Sequence, residues 1–424
     1  MISATHNNYP EAVRILGRVG SPLAYMIRDF LHRSDVPYEW IELHSDHEAR
    51  SAAGVPGLND SRLPVCIFAD GTRLECPTIR QIAEKLGWSR NPSRAEYDLA
   101  IYGAGPAGLS AALYGASEGL TTVVVERSAV GGQSGSSSKI ENYLGFPKGI
   151  SGVQLAERAR EQACRFGAEI LVGQEGVRGE FLPGKRVGHL ADGTKIIARA
   201  SICATGVEYR RLNLPNEERF LGAGVYYGAG ASEASLCHGN DDVFIVGGGN
   251  SAAQAAMHFA CVVRTVNLVV RGGSLKDTTS QYLLDRIQAS GKVRVMTNSE
   301  VTELEGEELL SAVVITDRVT RARQRFPTRW LFVCIGGDPR TSWAEEVGIV
   351  RDEAGYLVTG PDLFEGYRMR AGWPLDRSPY YLETNVPGVF AAGDVRHGSI
   401  KRCASAVGEG AMAVAFVHRY LAGG

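Results

Sequence analysis

The residues best spaced for chemistry are two glycine-rich turns, Gly103-Ala104-Gly105-Pro106-Ala107-Gly108 and Gly247-Gly248-Gly249-Asn250-Ser251-Ala252, which begin 144 residues apart. In such a turn the first glycine lets the chain reverse and the second lets the backbone approach a pyrophosphate. The third position stays small so that a helix can pack on a strand. Free N–H groups at the start of that helix then point at the phosphates. Chemistry further downstream separates the two turns. Glu126 stands 23 residues after Gly103, where a carboxylate accepts hydrogen bonds from the free hydroxyls of a ribose, as in FAD or NAD. Arg271 stands 24 residues after Gly247, with Lys276 following, and cations here suit a ribose phosphate, favouring NADPH with NADH as the alternative. Arg271 as a plain cap on a strand end is the other reading.

The elements that must hold these turns are legible on either side of them. The apolar runs Leu99-Ala100-Ile101-Tyr102 and Val243-Phe244-Ile245-Val246 precede the turns, and Ala-rich helical stretches follow. Second strands are expected at Thr122–Glu126 and Val266–Arg271. The pattern is strand, tight turn, helix, strand, twice over. It predicts an α/β chain with two Rossmann-like nucleotide-binding domains, one for FAD or NAD and one favouring NADPH.

Composition narrows the class. The chain has 424 residues, 44% apolar and 22% charged, with a formal net charge of −2. That is globular, with no electrostatic footprint for nucleic acid or an anionic membrane. No apolar run reaches the roughly 18 residues that span a bilayer, and the first residues lack the basic and apolar regions of a signal peptide. A cytoplasmic chain is expected. Eight cysteines are spread so widely that the nearest two, Cys66 and Cys76, are ten residues apart. The sequence therefore contains no C-x-x-C, no zinc spacing and no metal site by pattern.

Four segments follow. Residues 1–90 read as a small separate domain in βαβ-ββα order, with a strand at Val13–Gly17, a helix at Ala24–Arg33, a strand at Tyr38–Leu43, a hairpin around Ala69-Asp70-Gly71 and a last helix from Thr78 to Leu86. Residues 91–96 complete a polar linker. Residues 97–211 and 339–424 form the expected FAD domain, interrupted by a nucleotide domain at 212–338. The crossovers are expected near Cys203-Ala204-Thr205-Gly206 and Cys334-Ile335-Gly336-Gly337, which adds Thr205, Gly206 and Gly336 to the cofactor-binding candidates.

The first domain resembles glutaredoxins and the wider thioredoxin fold, with Pro64 at the cis-proline position. The family's Gly-Cys-Pro-x-Cys stands here as Gly20-Ser21-Pro22-Leu23-Ala24, so both thiols are replaced. The resemblance implies a docking role, toward a protein partner or in dimer contact, or a stabilising appendage.

From Tyr97 onward the chain resembles the low-molecular-weight thioredoxin reductases. The likeness rests on Gly131-Gly132-Gln133, Ile140-Glu141-Asn142-Tyr143-Leu144-Gly145-Phe146-Pro147, Gly393-Asp394-Val395 and Lys401-Arg402-Cys403-Ala404. It implies that Gly132, Gln133, Asn142, Gly393 and Asp394 flank the flavin, and that Lys401, Arg402, Cys403 and Ala404 lie at its edge at the start of the last helix. There the Lys-Arg pair would stabilise negative charge on the reduced ring; an exposed helix start is the alternative. The family's redox Cys-x-x-Cys falls at Gly228-Ala229-Gly230-Ala231, with glycine and alanine in place of the thiols. A narrower likeness, through Val269–Leu275, Thr279–Leu283 and Gly372–Arg377, is to a bacterial subgroup that also lacks the pair. The resemblance implies a homodimer, with the inserted loop or the helix Met412–Leu421 serving the contact. Cys237, beside His238, and Cys403 are the remaining candidates for a reactive thiol. The expected activity is transfer of electrons from NAD(P)H through FAD directly to a small acceptor or dioxygen, with no catalytic residue named. The alternatives are a regulatory flavoprotein and a flavin enzyme fed by ferredoxin.

Overall fold

The structure is a computed structural model and describes residues 12–88, 91–228, 233–365, 368–369 and 373–423. These fall into two compact units. One is drawn from Met1–Ile79, Ser136–Ser138 and Tyr209–Gly336, the other from Arg80–Gly135, Lys139–Glu208 and Gly337–Gly424. The chain thus crosses between units at 208/209 and 336/337, and the short helix after residue 79 clusters with the second unit.

The first unit opens with β1 (Val13–Arg18), α1 (Pro22–Arg33), β2 (Tyr38–Leu43), α2 (Asp46–Ala53), β3 (Val65–Ile67) and β4 (Arg73–Glu75). Its sheet has the order β2-β1-β3-β4, with β2 parallel to β1 and the hairpin antiparallel. The Leu63–Pro64 peptide is cis. α1 starts where Ser21 Oγ accepts from Ala24 N, 3.3 Å away, and Pro22 supplies a preset φ. It buries Ala24, Ile27, Phe30 and Leu31. The helix α2 has no counterpart in the expected order, although Ser45 caps it by accepting from Glu48 N at 3.2 Å.

In the second unit, α3 (Ile79–Lys85) precedes β5 (Tyr97–Tyr102), α4 (Pro106–Ser117) and β6 (Thr122–Glu126). Arg80 pairs with Asp192 of the same unit. β5 lies between β6 and the strand Lys195–Cys203, parallel to both, and the strand Val389–Ala391 extends the sheet beyond Lys195–Cys203. Leu99, Ala100, Ile101, Val123 and Val124 are fully buried, as β-branched and apolar residues of a parallel sheet covered on both faces should be. The last helix runs over Cys403–Leu421, a full 19 residues, rather than from Met412. Its Gly410 is obligatory: an added Cβ would lie 2.1 Å from Ala107 O, so α4 and the last helix meet backbone to backbone there.

The rest of the first unit is a five-stranded parallel sheet in the order Val225–Tyr227, Leu331–Val333, Asp242–Val246, Thr265–Val269 and Val293–Met296. Helix Asn250–Phe259 follows the central strand and buries Ala252, Ala253, Ala255, Ala256 and Phe259. A three-stranded antiparallel sheet, Ser299–Gly306, Leu310–Asp317 and Arg323–Pro327, completes the unit. Among the described residues no helix is long and apolar enough to cross a membrane, and no cluster of His, Cys, Asp and Glu could hold a metal.

Candidate functional site

The turn between β5 and α4 is shaped by contacts that only glycine allows. Gly103 has φ +102°, and a Cβ on it would lie 2.4 Å from Ala204 O. A Cβ on Gly108 would lie 1.8 Å from Gly103 O. At Gly105, the residue before α4, an added Cβ would meet only Gly132 Cα, at 3.8 Å, which leaves space beside the backbone. No side chain caps α4, and Pro106 opens it, so its first-turn N–H groups face outward. Ala107 and Gly108 are buried beneath them.

Glu126 closes this cradle. Its buried carboxylate accepts from Ala104 N at 2.7 Å and Ser128 N at 2.8 Å. The acid expected at the ribose is thereby fixed by the backbone of the turn it serves. Gly132, at φ +53°, packs within van der Waals reach of Gly105, while Gln133 Nε2 donates to Val207 O at 2.7 Å. Thr205 is exposed beside Gly206 at φ +64°. Asn142 stands exposed on the loop closed by the paired Ile140 and Ile150. Gly336, also exposed and at φ +86°, ends the first unit's segment.

A second group in the same unit surrounds Asp394. Gly393, at φ +76°, donates from its N–H to Glu409 Oε2 at 2.7 Å, and Glu409 Oε1 accepts from the buried Arg396 at 2.6 Å. Glu409, on the last helix, was not singled out from sequence. It fixes the Asp394 turn. Burial raises the Asp394 pKa, and Lys401 opposes that rise. Lys401 Nζ donates to Asp394 O at 2.7 Å and Ser399 Oγ at 2.8 Å, and lies 4.4 Å from the centre of the Tyr356 ring. Lys401 and Arg402 precede the last helix instead of opening it; Cys403 and Ala404 form its uncapped first turn.

These features fit an FAD. A pyrophosphate needs the open space at Gly105 and the unfilled N–H groups of α4, and a ribose needs the Glu126 carboxylate.

The first unit carries the second turn. Gly247, at φ +145°, would place a Cβ 2.3 Å from Cys334 O, and no side chain caps the helix that follows Gly249. Asn250 Oδ1 accepts from Ser280 N at 2.7 Å, and Thr279 Oγ1 donates to Gly248 O at 3.0 Å, with Thr278 Oγ1 donating to the same oxygen. Asn250 is therefore spent on tying the turn to the segment before Gln281–Ala289; Ser251 is exposed and Ala252 is core. Arg271 and Lys276 are both exposed. Arg318, which pairs with Glu300 at 3.4 Å, donates to Arg271 O at 3.2 Å, bringing beside Arg271 a second guanidinium that lies 47 residues away in sequence and is invisible to spacing.

The reactive-thiol candidates do not fit the chemistry suggested for them. Cys237 is buried and donates to Glu233 O at 3.6 Å, and burial pushes its pKa up strongly. His238 is exposed and absent from the causes of that shift. Burial also pushes Cys403 up, to about 11. Both thiols are held protonated at neutral pH.

At the expected relay segment, Gly228 has φ +94°, and a Cβ added there would lie 2.6 Å from Tyr209 Oη. Tyr209 Oη sits 3.2 Å from Ser136 Oγ, and burial first of all pushes its pKa up to about 12. Ala229, Gly230 and Ala231 lie outside the described residues.

Residues 97–410 match the pyridine nucleotide-disulphide oxidoreductase family. The chain belongs to that family. It is 33% identical to the thioredoxin reductase of Mycolicibacterium smegmatis over 334 residues, covering 78% of this chain and 98% of that one. The thioredoxin reductases of Lactococcus lactis and T. acidophilum superpose with a TM-score of 0.68 each, at 27% and 29% identity. Each alignment covers 77% of this chain and 99% of the other. The chain is an FAD-dependent pyridine-nucleotide oxidoreductase with the α/β fold of those enzymes.

Proposed function

We propose that this oxidoreductase takes electrons from NADPH and passes them from its flavin to a small acceptor or to dioxygen, without a dithiol relay. The observation that carries the proposal is the setting of Gly228. At the position where the resemblance puts a redox cysteine, the backbone is left-handed and the Tyr209 hydroxyl fills the space a side chain would need. Intact nucleotide cradles beside a relay position that cannot hold sulfur support direct transfer.

When bound, FAD supplies the acceptance of a hydride and the release of its electrons. The protein's own part is binding and charge. Glu126 holds the ribose hydroxyls, the first-turn amides of α4 hold the pyrophosphate, and Asp394, set by Glu409, holds the ribityl side. The Lys401 ammonium, fixed by two acceptors, supplies positive charge where negative charge grows at the ring. Arg271, helped by Arg318, selects the phosphorylated ribose of NADPH.

Mixing the anaerobic holoenzyme with NADPH should bleach the flavin's visible band, and a simple quinone should restore it with catalytic turnover. A yellow solution unmoved by either nicotinamide nucleotide would refute the proposal.

A further inference from the structure

The first domain and the relay segment belong to one compact unit, and their contact is specific. The degenerate motif loop meets the turn before strand Val225–Tyr227. A Cβ on Gly20 would lie 3.2 Å from Ala223 Cβ and 3.2 Å from Leu309 Cδ2, and one on Gly222 would lie 2.8 Å from Tyr25 Cβ and 3.5 Å from Pro22 Cα. Gly222 makes this approach possible, since a side chain there would run into Tyr25, while the atoms nearest the Gly20 position are side-chain atoms that can yield. Tyr25 then sets its edge against Tyr226, with ring centres 5.3 Å apart at 64°. Tyr226 in turn stacks on Trp330 and Phe332 at 5.8 and 5.3 Å, so Tyr25 joins the apolar core beneath helix Asn250–Phe259.

Charged groups extend the contact along α1. Arg28 is only 5% exposed and lies 4.7 Å from the Trp40 ring centre. Arg28 and the buried Glu233 both act on the Tyr226 hydroxyl, in opposite directions. One turn further, Asp29 and Arg33 are paired with each other at 3.3 Å. α1 therefore packs, through Tyr25, on Tyr226 in the strand that leads to the relay position.

We infer that the first domain, a thioredoxin-shaped module without thiols, is the resident occupant of the face on which a protein acceptor would dock, and so confines the enzyme to small acceptors. The inference rests on the proposed direct transfer to small acceptors and names what enforces it. A protein acceptor must bring its own surface to the relay position, and α1 already covers the strand and turn that lead to it. The motif loop, by which an external partner would be met, is spent on Gly222 and Ala223.

The test is a disulfide lock in the full-length holoenzyme. Gly20→Cys with Ala223→Cys places two sulfurs within bridging reach. Oxidation should yield the intramolecular bridge in nearly all molecules, located by peptide mass mapping, with turnover of a benzoquinone by NADPH within about twofold of the reduced form, since a resident domain has no need to move. Failure of the bridge in a folded double variant would overturn the docking. A bridge that stops turnover reversibly would overturn residence, because the domain would then have to leave. If the unmodified enzyme does not turn over, the proposed function fails while bridge formation still tests the docking. Should the double variant not fold, hydrogen exchange decides. Tyr226→Ala should speed exchange in α1 and in residues 222–227 together; loosening of 222–227 alone would overturn the inference.

Discussion

Arg271 and Glu126 occupy matching places after their two turns and carry opposite charge, and the proposed function has the two nucleotides told apart there. Arg271→Ala should raise KM for NADPH about tenfold, the equivalent of one lost charge-assisted hydrogen bond, and leave KM for NADH nearly unchanged. Equal losses with both nucleotides would show that Arg271 only caps the strand. Glu126→Gln keeps the shape but removes the charge and one of two acceptors for Ala104 N and Ser128 N. Dialysed protein should then retain clearly less flavin per chain, read as the ratio of visible to ultraviolet absorbance. Unchanged retention would remove Glu126 from the ribose. Both residues were legible from a count of positions along the chain. Arg318 and Glu409 were not, because their value comes from pairing across strands and helices far apart in sequence. For Cys237 the neighbouring His238 is visible in sequence, but the burial that raises the thiol pKa is not.

Elements with a strong apolar period were the easiest to read. β1, β5 and β6 fall where their apolar runs put them, since a strand covered on both faces needs such a run, and β2 falls where its alternation does. α2 escaped because its sequence, Asp46–Ala53, is polar and short, although Ser45 and Glu48 carry a capping signal that a closer reading would have used. The resemblance marks the start of the last helix at residues 401–404, but its periodicity is legible only from Met412, because Ala, Gly and Ser over residues 403–411 give little amphipathic contrast. The anchoring of α3 should depend on pH. Hydrogen bonds from Thr194 N and Arg80 hold the Asp192 carboxyl at about 2 against the opposing effect of burial. A carboxylate depressed in the folded state stabilises fully above its unfolded pKa, and that stabilisation is lost as pH falls toward the folded value. The anchoring of α3 should therefore hold at neutral pH and weaken between about pH 4 and 2. Amide exchange in residues 80–85 should rise over that window in the wild type, and should already be raised at neutral pH in Asp192→Asn. Flat exchange across the window would show that Arg80 and Asp192 contribute nothing.

For the whole molecule, two nucleotide-binding units on one chain define an electron path with a donor side and a flavin side. The family match and the superposed reductases support that path. The proposed difference lies at its exit: glycine where the resemblance expects a relay thiol, a tyrosine hydroxyl beside it, and a domain with serine and alanine at its own motif. The most direct measurement is the number of electrons the holoenzyme accepts in anaerobic titration. A flavin alone takes two per chain, whereas a flavin in redox exchange with a cystine takes four. The account predicts complete bleaching after two electrons, with no new thiol detected in the reduced protein. Uptake of four, with a pair of thiols appearing, would contradict it.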